Sequence, residues 1–203
     1  DVVVSGHTNA AHVCQINNAL VTSALNFGRL VTDINLVIDE RTGDVTTSTA
    51  ANTIVTRDIE RDPTQVALIA KYDAVAAPLA NRVIAVVAGD LAKTPNAAGE
   101  SSMGDVIADA QLAATSDPGV GGAQIAFMNP GGVRTDLLAA TVSGGEAPGE
   151  VTYGEAFAVQ PFGNTLVTMT LTGAQLLAAL EQQWQMLSTG VEKANILAVS
   201  EGF

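Results

Sequence analysis

Ala123-Gln124-Ile125-Ala126-Phe127-Met128-Asn129-Pro130-Gly131-Gly132-Val133-Arg134 carries the signal that sets the fold class. Residues 123–128 form a short, nearly continuous apolar run, the pattern of a central strand covered on both faces. The run ends in a proline–glycine turn. In open α/β sheets, ligands collect at the carboxyl ends of such strands. Paired glycines let a ligand come close to backbone N–H groups, and an arginine beside them can grip a phosphate or carboxylate with two parallel bonds. A tight turn with a solvated arginine accounts for the same six residues, and the spacing alone does not separate the two readings.

Outward from this stretch, strand and helix signals alternate. Asn81 to Val87 reads as a strand, and Pro95 to Glu100 as a polar loop. Ser102-Met103-Gly104-Asp105 has the form of a capping box with Asp in the Glu position. The helix it opens is expected to bury Met103, Val106, Ile107, Ala110 and Ala113. Thr152-Tyr153-Gly154-Glu155 is a second capping box. Thr165 to Leu171 reads as a strand, and Thr172-Gly173-Ala174-Gln175 caps a helix expected to carry Leu176, Leu177, Leu180, Trp184 and Leu187 on its apolar face. Gly144 to Gly149 is a flexible loop. The expected class is α/β, or α+β.

The first part of the chain differs. Gly28 to Asp39 alternates with period two, and Arg41-Thr42-Gly43-Asp44 supplies a hairpin turn before a second strand at Val45. Asp62-Pro63 then starts a helix, an acceptor side chain followed by proline at the first helical position. Its apolar stripe runs through Val66, Ile69, Tyr72 and Leu79 to about Ala80, with Pro78 near the end. The predicted organisation is 1–60 as strands closing one domain, 61–80 as a connecting helix, and 81–203 as an α/β domain. Both ends, Asp1-Val2-Val3-Val4 and Ala198 to Phe203, read as strands cut within a longer protein.

Composition narrows the partners. A net charge of −12 repels nucleic acid, so a nucleic-acid partner is not expected. An anionic small molecule needs locally placed cations, and the chain has nine Lys and Arg in 203 residues. The single cysteine, Cys14, excludes an internal disulfide framework and is expected to be a buried structural thiol. No apolar run reaches the roughly 18 residues of a membrane span.

Two more motifs are candidates for chemistry. In Val159-Gln160-Pro161-Phe162-Gly163-Asn164 the phenyl ring lies outside any regular element, where it either stacks on a planar ligand such as a base or folds back over the core. In Gly6-His7-Thr8-Asn9, a histidine at a strand end is placed to ligate a metal, although capping and turn roles are as common. His12 is taken as structural. Ser101 and Ser102 lie in no G-x-S-x-G elbow, and helix capping is their better account.

Taken together and in this order, Ser102 to Ala110, Met128 to Arg134 and Thr152 to Asn164 resemble the 5′-nucleotidase family, which includes UDP-sugar hydrolases, ecto-5′-nucleotidases and 2′,3′-cyclic-nucleotide phosphodiesterases. The resemblance covers nearly the whole chain. It implies a C-terminal nucleotide-binding domain preceded by the tail of a metallophosphoesterase domain. On that reading Asn129, Gly131, Gly132, Arg134 and Phe162 contact an AMP-like nucleotide, and a second base-stacking aromatic belongs to family residues beyond Phe203. His7 matches a metal ligand, and Asn9 stands where the family has His or Gln. The resemblance also implies two divalent ions of the Zn, Mn, Co or Mg type, bound mostly outside this chain. No catalytic residue then lies within it, and the missing upstream domain is its partner. A secreted, periplasmic or cell-surface location follows from the family alone.

Two departures stand out. Pro130 replaces the first glycine of the family's Asn-Gly-Gly-Gly-(Ile/Val)-Arg, and Ala98-Gly99-Glu100 stands where many relatives have an arginine. The alternatives are a nucleotide-binding or surface module without catalysis, a UDP-sugar or cyclic-nucleotide hydrolase of the same family, and a purely structural α/β domain.

Overall fold

A computed structural model describes residues 2–186, 190 and 192–203. The chain divides into two compact units, Asp1–Val66 and Ala67–Phe203.

In the first unit β1 (Val2–Val4), β2 (Ala11–Ile16) and β3 (Ala19–Ala24) form a sheet of order β1-β3-β2, parallel between β1 and β3 and antiparallel between β2 and β3. Asn17 and Asn18, at φ 48° and 64°, make the two-residue turn joining β2 to β3. Asparagine tolerates that left-handed backbone, which matches the twist of the flanking strands. β3 is central and buries Leu20, Thr22 and Ser23. Cys14 is exposed, contrary to expectation. It lies on β2, an edge strand with a neighbour on one side alone, so apolar sequence neighbours do not cover it.

β4 (Leu30–Ile38) and β5 (Val45–Ile54) form the expected hairpin. Leu30, Thr32 and Ile34 are half-buried while Val31, Asp33 and Asn35 are exposed, as the period requires. The register shifts between Val37 and Ile38, and beyond Ile34 the alternation is lost. Asp39 Oδ1 accepts bonds from the Arg41 and Thr42 amides to close the turn. The connecting helix α1 spans Pro63–Ala80, capped by Asp62 Oδ1 at 2.7 Å from the Thr64 amide and 3.1 Å from that of Gln65. It buries no residue among those described, so the apolar stripe legible in its sequence is uncovered.

The second unit is mixed α/β. β6 (Val83–Val86) pairs antiparallel with β8 (Glu150–Thr152), and β7 (Phe127–Met128) pairs antiparallel with β11 (Ala198–Val199). Between them run the helices α2 (Ser102–Thr115), α3 (Tyr153–Val159) and α4 (Gly173–Glu181). The core joins Met103, Ile107 and Ala108 of α2 to Met128, Val133, Leu137, Val151, Val159 and Ala198. No helix among the described residues is long and apolar enough to cross a membrane.

Five expectations change here. The cap of α2 is Ser101, whose Oγ accepts from the Gly104 amide, one residue earlier than the pattern suggested. Ser102 instead accepts a bond from the Ala92 amide, 2.9 Å away. α2 buries Met103, Gly104, Ile107, Ala108 and Thr115, whereas Val106, Ala110 and Ala113 are exposed, because the face turned toward β7 and β11 is the one through 104 and 108.

The apolar run 123–128 forms a ladder at Phe127 and Met128 alone, and Ala126 is held instead by Ser200 through its N–H and C=O. Residues 165–171 form no ladder among the described residues, since a strand needs a partner edge that the sequence of the strand does not specify. Trp184 is not on a helix. α4 stops at Glu181, and β9 (Trp184–Met186) pairs antiparallel with β10 (Glu192–Ala194), leaving Trp184 51% exposed. Leu187 lies outside the described residues.

Candidate functional site

Residues 129–134 leave the core strand β7 and return to the core at Val133. Asn129 precedes a single 3-10 turn, Pro130–Gly132, and makes no side-chain cap bond. Proline suits the first position of such a turn, where an N–H has no partner inside the turn. The substitution at Pro130 therefore keeps the loop's form and removes one donor from it. The two glycines have different reasons. A Cβ on Gly132 would collide with the Met128 methyl and stand 2.7 Å from Asn129 Oδ1, so packing demands glycine there. A Cβ on Gly131 would meet nothing closer than Asn129 Nδ2 at 3.9 Å, so this glycine faces open space.

Arg134 is tied by its backbone, and its exposed side chain makes local contacts. Its amide donates to Val159 O at 2.9 Å, which pins the loop to the end of α3 two residues before the Pro161-Phe162 segment. The opposite, N-terminal end of that helix is fixed by the capping box at Thr152 and Glu155, the hydroxyl accepting from the Glu155 amide at 3.2 Å. The guanidinium lies over the Phe162 ring, Cζ 5.7 Å from its centroid, and Nη1 donates to Gly131 O at 3.3 Å. Phe162 is 49% exposed, so the ring neither folds into the core nor stands free.

Lys93, which no sequence motif marks, also belongs to this cluster. Its backbone amide donates to Asp136 Oδ1 at 2.7 Å, and its Nζ donates to Arg134 O at 3.3 Å. The bridge between Leu91 and Leu137 sets that approach. A lysine forty-one positions away in sequence carries no local signal of this contact.

Asn129, Gly131, Gly132 and Phe162 line one groove of about 1070 Å³, whose other wall includes Leu166 and Thr168. No charged side chain is among its lining residues, in a chain whose net charge is −12. An uncharged groove with an exposed phenyl ring and adjacent cations suits a ligand with one planar apolar part and one anionic part.

His7 and Asn9 lie in the first unit, in the exposed turn after β1, with φ of 68° and 56°. His12 is engaged through Nε2 with Ser5 Oγ at 3.2 Å, in keeping with a structural role. Among the described residues no three His, Cys, Asp or Glu come together as a metal-binding group. His7 and Asn9 offer at most two of the four or more donors that a divalent ion takes. The described residues do not form a complete metal centre.

The family described as 5′-nucleotidase, C-terminal domain, matches residues 82–203. The crystal structure of a 5′-nucleotidase precursor from Thermus thermophilus is similar with a TM-score of 0.65 and 26% identity, covering 98% of this chain and 41% of that one. A cell wall protein of Listeria monocytogenes is 30% identical over 192 residues, 91% of this chain and 24% of its own length. The endonuclease YhcR of Bacillus subtilis is 27% identical over 184 residues, 90% of this chain and 14% of its own length. The chain thus spans a quarter or less of these curated relatives. With more than half of its residues matched by the family model, the chain belongs to the 5′-nucleotidase C-terminal domain family.

Proposed function

We propose that this chain is the nucleotide-binding part of a metal-dependent 5′-nucleotidase, a protein that hydrolyses nucleotide phosphate esters to nucleoside and phosphate. The observation that carries the reading is the convergence of Arg134 and Phe162, 5.7 Å apart, beside the uncharged groove lined by Asn129 and Gly131. Phe162 stacks the base, Arg134 holds the anionic part with paired charge-assisted bonds, and Asn129 and the Gly131 backbone fix the orientation between them. Lys93, whose Nζ reaches Arg134 O, adds a second positive charge beside Arg134. His7 and Asn9 would be this chain's contribution to holding two divalent ions bound mainly by residues outside it, and those ions would supply the activation of water for hydrolysis. The location is outside the cytoplasm or at the cell surface, as the name of the Listeria relative supports.

Titration calorimetry with AMP tests the site. Losing charge-assisted bonds worth about 1.5–3 kcal/mol, Arg134→Ala weakens AMP binding by roughly tenfold or more. Phe162→Ala removes base stacking, about 1–3 kcal/mol. Unchanged AMP affinity in both variants would overturn the assignment. The 203-residue chain alone, supplied with Mn²⁺, is expected to show no turnover of AMP; measurable turnover would refute the placement of hydrolysis upstream. A nucleotide-binding module without catalysis shares this site, and an assay of the longer protein with metal separates it from the enzyme.

A further inference from the structure

The guanidinium of Arg134 occupies a face of the ring that the base is proposed to use. Its Cζ stands 5.7 Å from the Phe162 centroid, and its polar contact among the described residues is one bond to Gly131 O at 3.3 Å. A guanidinium carries five donors, so most of its capacity is unspent in this position. The ion pair found among the described residues involves Arg41 and Asp39, and no carboxylate among the described residues restrains Arg134. Its backbone is anchored through Val159 O and Lys93 Nζ. Leaving the ring is therefore a change of side-chain rotamer alone.

We infer that Arg134 determines specificity a second way: without a bound phosphate it covers Phe162, and the site thereby discriminates against unphosphorylated nucleosides. A phosphate draws the guanidinium off the ring, because charge-assisted bonds outweigh an exposed cation–π contact. The uncovered ring then accepts the base. A nucleoside by itself must displace the guanidinium and offers nothing in return. After the ester is hydrolysed and phosphate departs, Arg134 returns to the ring and competes with the nucleoside product, which favours its release. By linkage, phosphate and nucleoside strengthen each other's binding by the same factor.

The inference rests on the nucleotide site proposed above and makes a prediction opposite in sign to simple phosphate binding. The 203-residue chain and its Arg134→Ala variant are titrated with AMP, with adenosine, and with adenosine in saturating inorganic phosphate, folding being checked by circular dichroism. Exposed cation–π contacts imply that Arg134→Ala binds adenosine about two- to fivefold more tightly, while AMP binds about tenfold or more weakly. Inorganic phosphate raises adenosine affinity by a similar factor in the natural chain and has no effect in the variant. Adenosine affinity that is unchanged or lower in the variant, with AMP binding reduced, overturns the inference and leaves the nucleotide site standing. Absence of AMP binding by the folded natural chain overturns both.

Discussion

Helices α1 and α2 start alike and end differently. Each has an acceptor cap, Asp62 and Ser101, and each carries apolar residues at helical spacing. α2 buries Met103, Ile107 and Ala108, and approaches β11 so closely that a Cβ on Gly104 would stand 2.7 Å from that of Ala198. α1 leaves Ile69 59% and Val75 76% exposed and buries nothing described. Periodicity states which face is apolar. Stability comes from whatever covers that face, which is a property of other parts of the chain.

Core truncation tests this contrast with the largest effect. Ile107→Ala in α2 is expected to cost about 2–4 kcal/mol, because it leaves a cavity in a packed cluster. Ile69→Ala in α1 removes a side chain that is mostly in water and is expected to change stability by less than about 0.5 kcal/mol. Urea denaturation followed by circular dichroism measures both, and equal losses would erase the distinction between the helices. The caps come next. Ser101→Ala and Asp62→Ala should each lose about 1 kcal/mol, since a cap satisfies terminal N–H groups whether or not the helix is buried. A negligible loss at Asp62 would show that α1 depends on its cap less than its exposure implies.

The smallest effects are in pH dependence, and their signs oppose. Partial burial, then repulsion by Glu100 and Asp109, raises the Asp105 carboxyl above the usual 3.8, and its Oδ1 is buried without a partner. The folded chain therefore holds that proton more tightly than the unfolded one. The penalty is complete above the raised value and is relieved as pH falls toward 3.8. Asp105→Asn is expected to stabilise the chain at neutral pH, with the gain fading in acid. Glu146 is depressed below 4.5, first by the Ser143 amide, then by further backbone N–H groups and the Ser143 hydroxyl. Its contribution is present above 4.5 and is lost as pH falls through the lowered value. Glu146→Gln should accordingly destabilise at neutral pH, with the loss fading in acid. Melting temperatures measured from pH 3 to 7 distinguish the two.

Much of the local structure was legible because its causes are local. The Thr152 and Thr172 capping boxes both form as their sequences imply, and the Arg41 to Asp44 turn joins β4 to β5. The failures share a different cause. Cys14 is exposed because β2 is an edge strand, 165–171 lacks a ladder because strands need partners, and Trp184 left its helix for the pairing with Ala194. At the site, the motifs identified Arg134 and Phe162 separately. Neither spacing nor composition could bring them within 5.7 Å or add Lys93.

By itself the sequence determined the caps at Asp62, Thr152 and Thr172, the Arg41 to Asp44 turn, the mixed α/β class and the family, since these reside in contiguous residues whose backbone preferences and hydrogen bonds close over a few positions. Tertiary structure alone decided which faces are covered, why Gly132 must be glycine while Gly131 faces open space, and that a guanidinium rests on the phenyl ring proposed for the base. These depend on contacts between residues distant in the chain, and burial and charge act through distance in space rather than position in sequence.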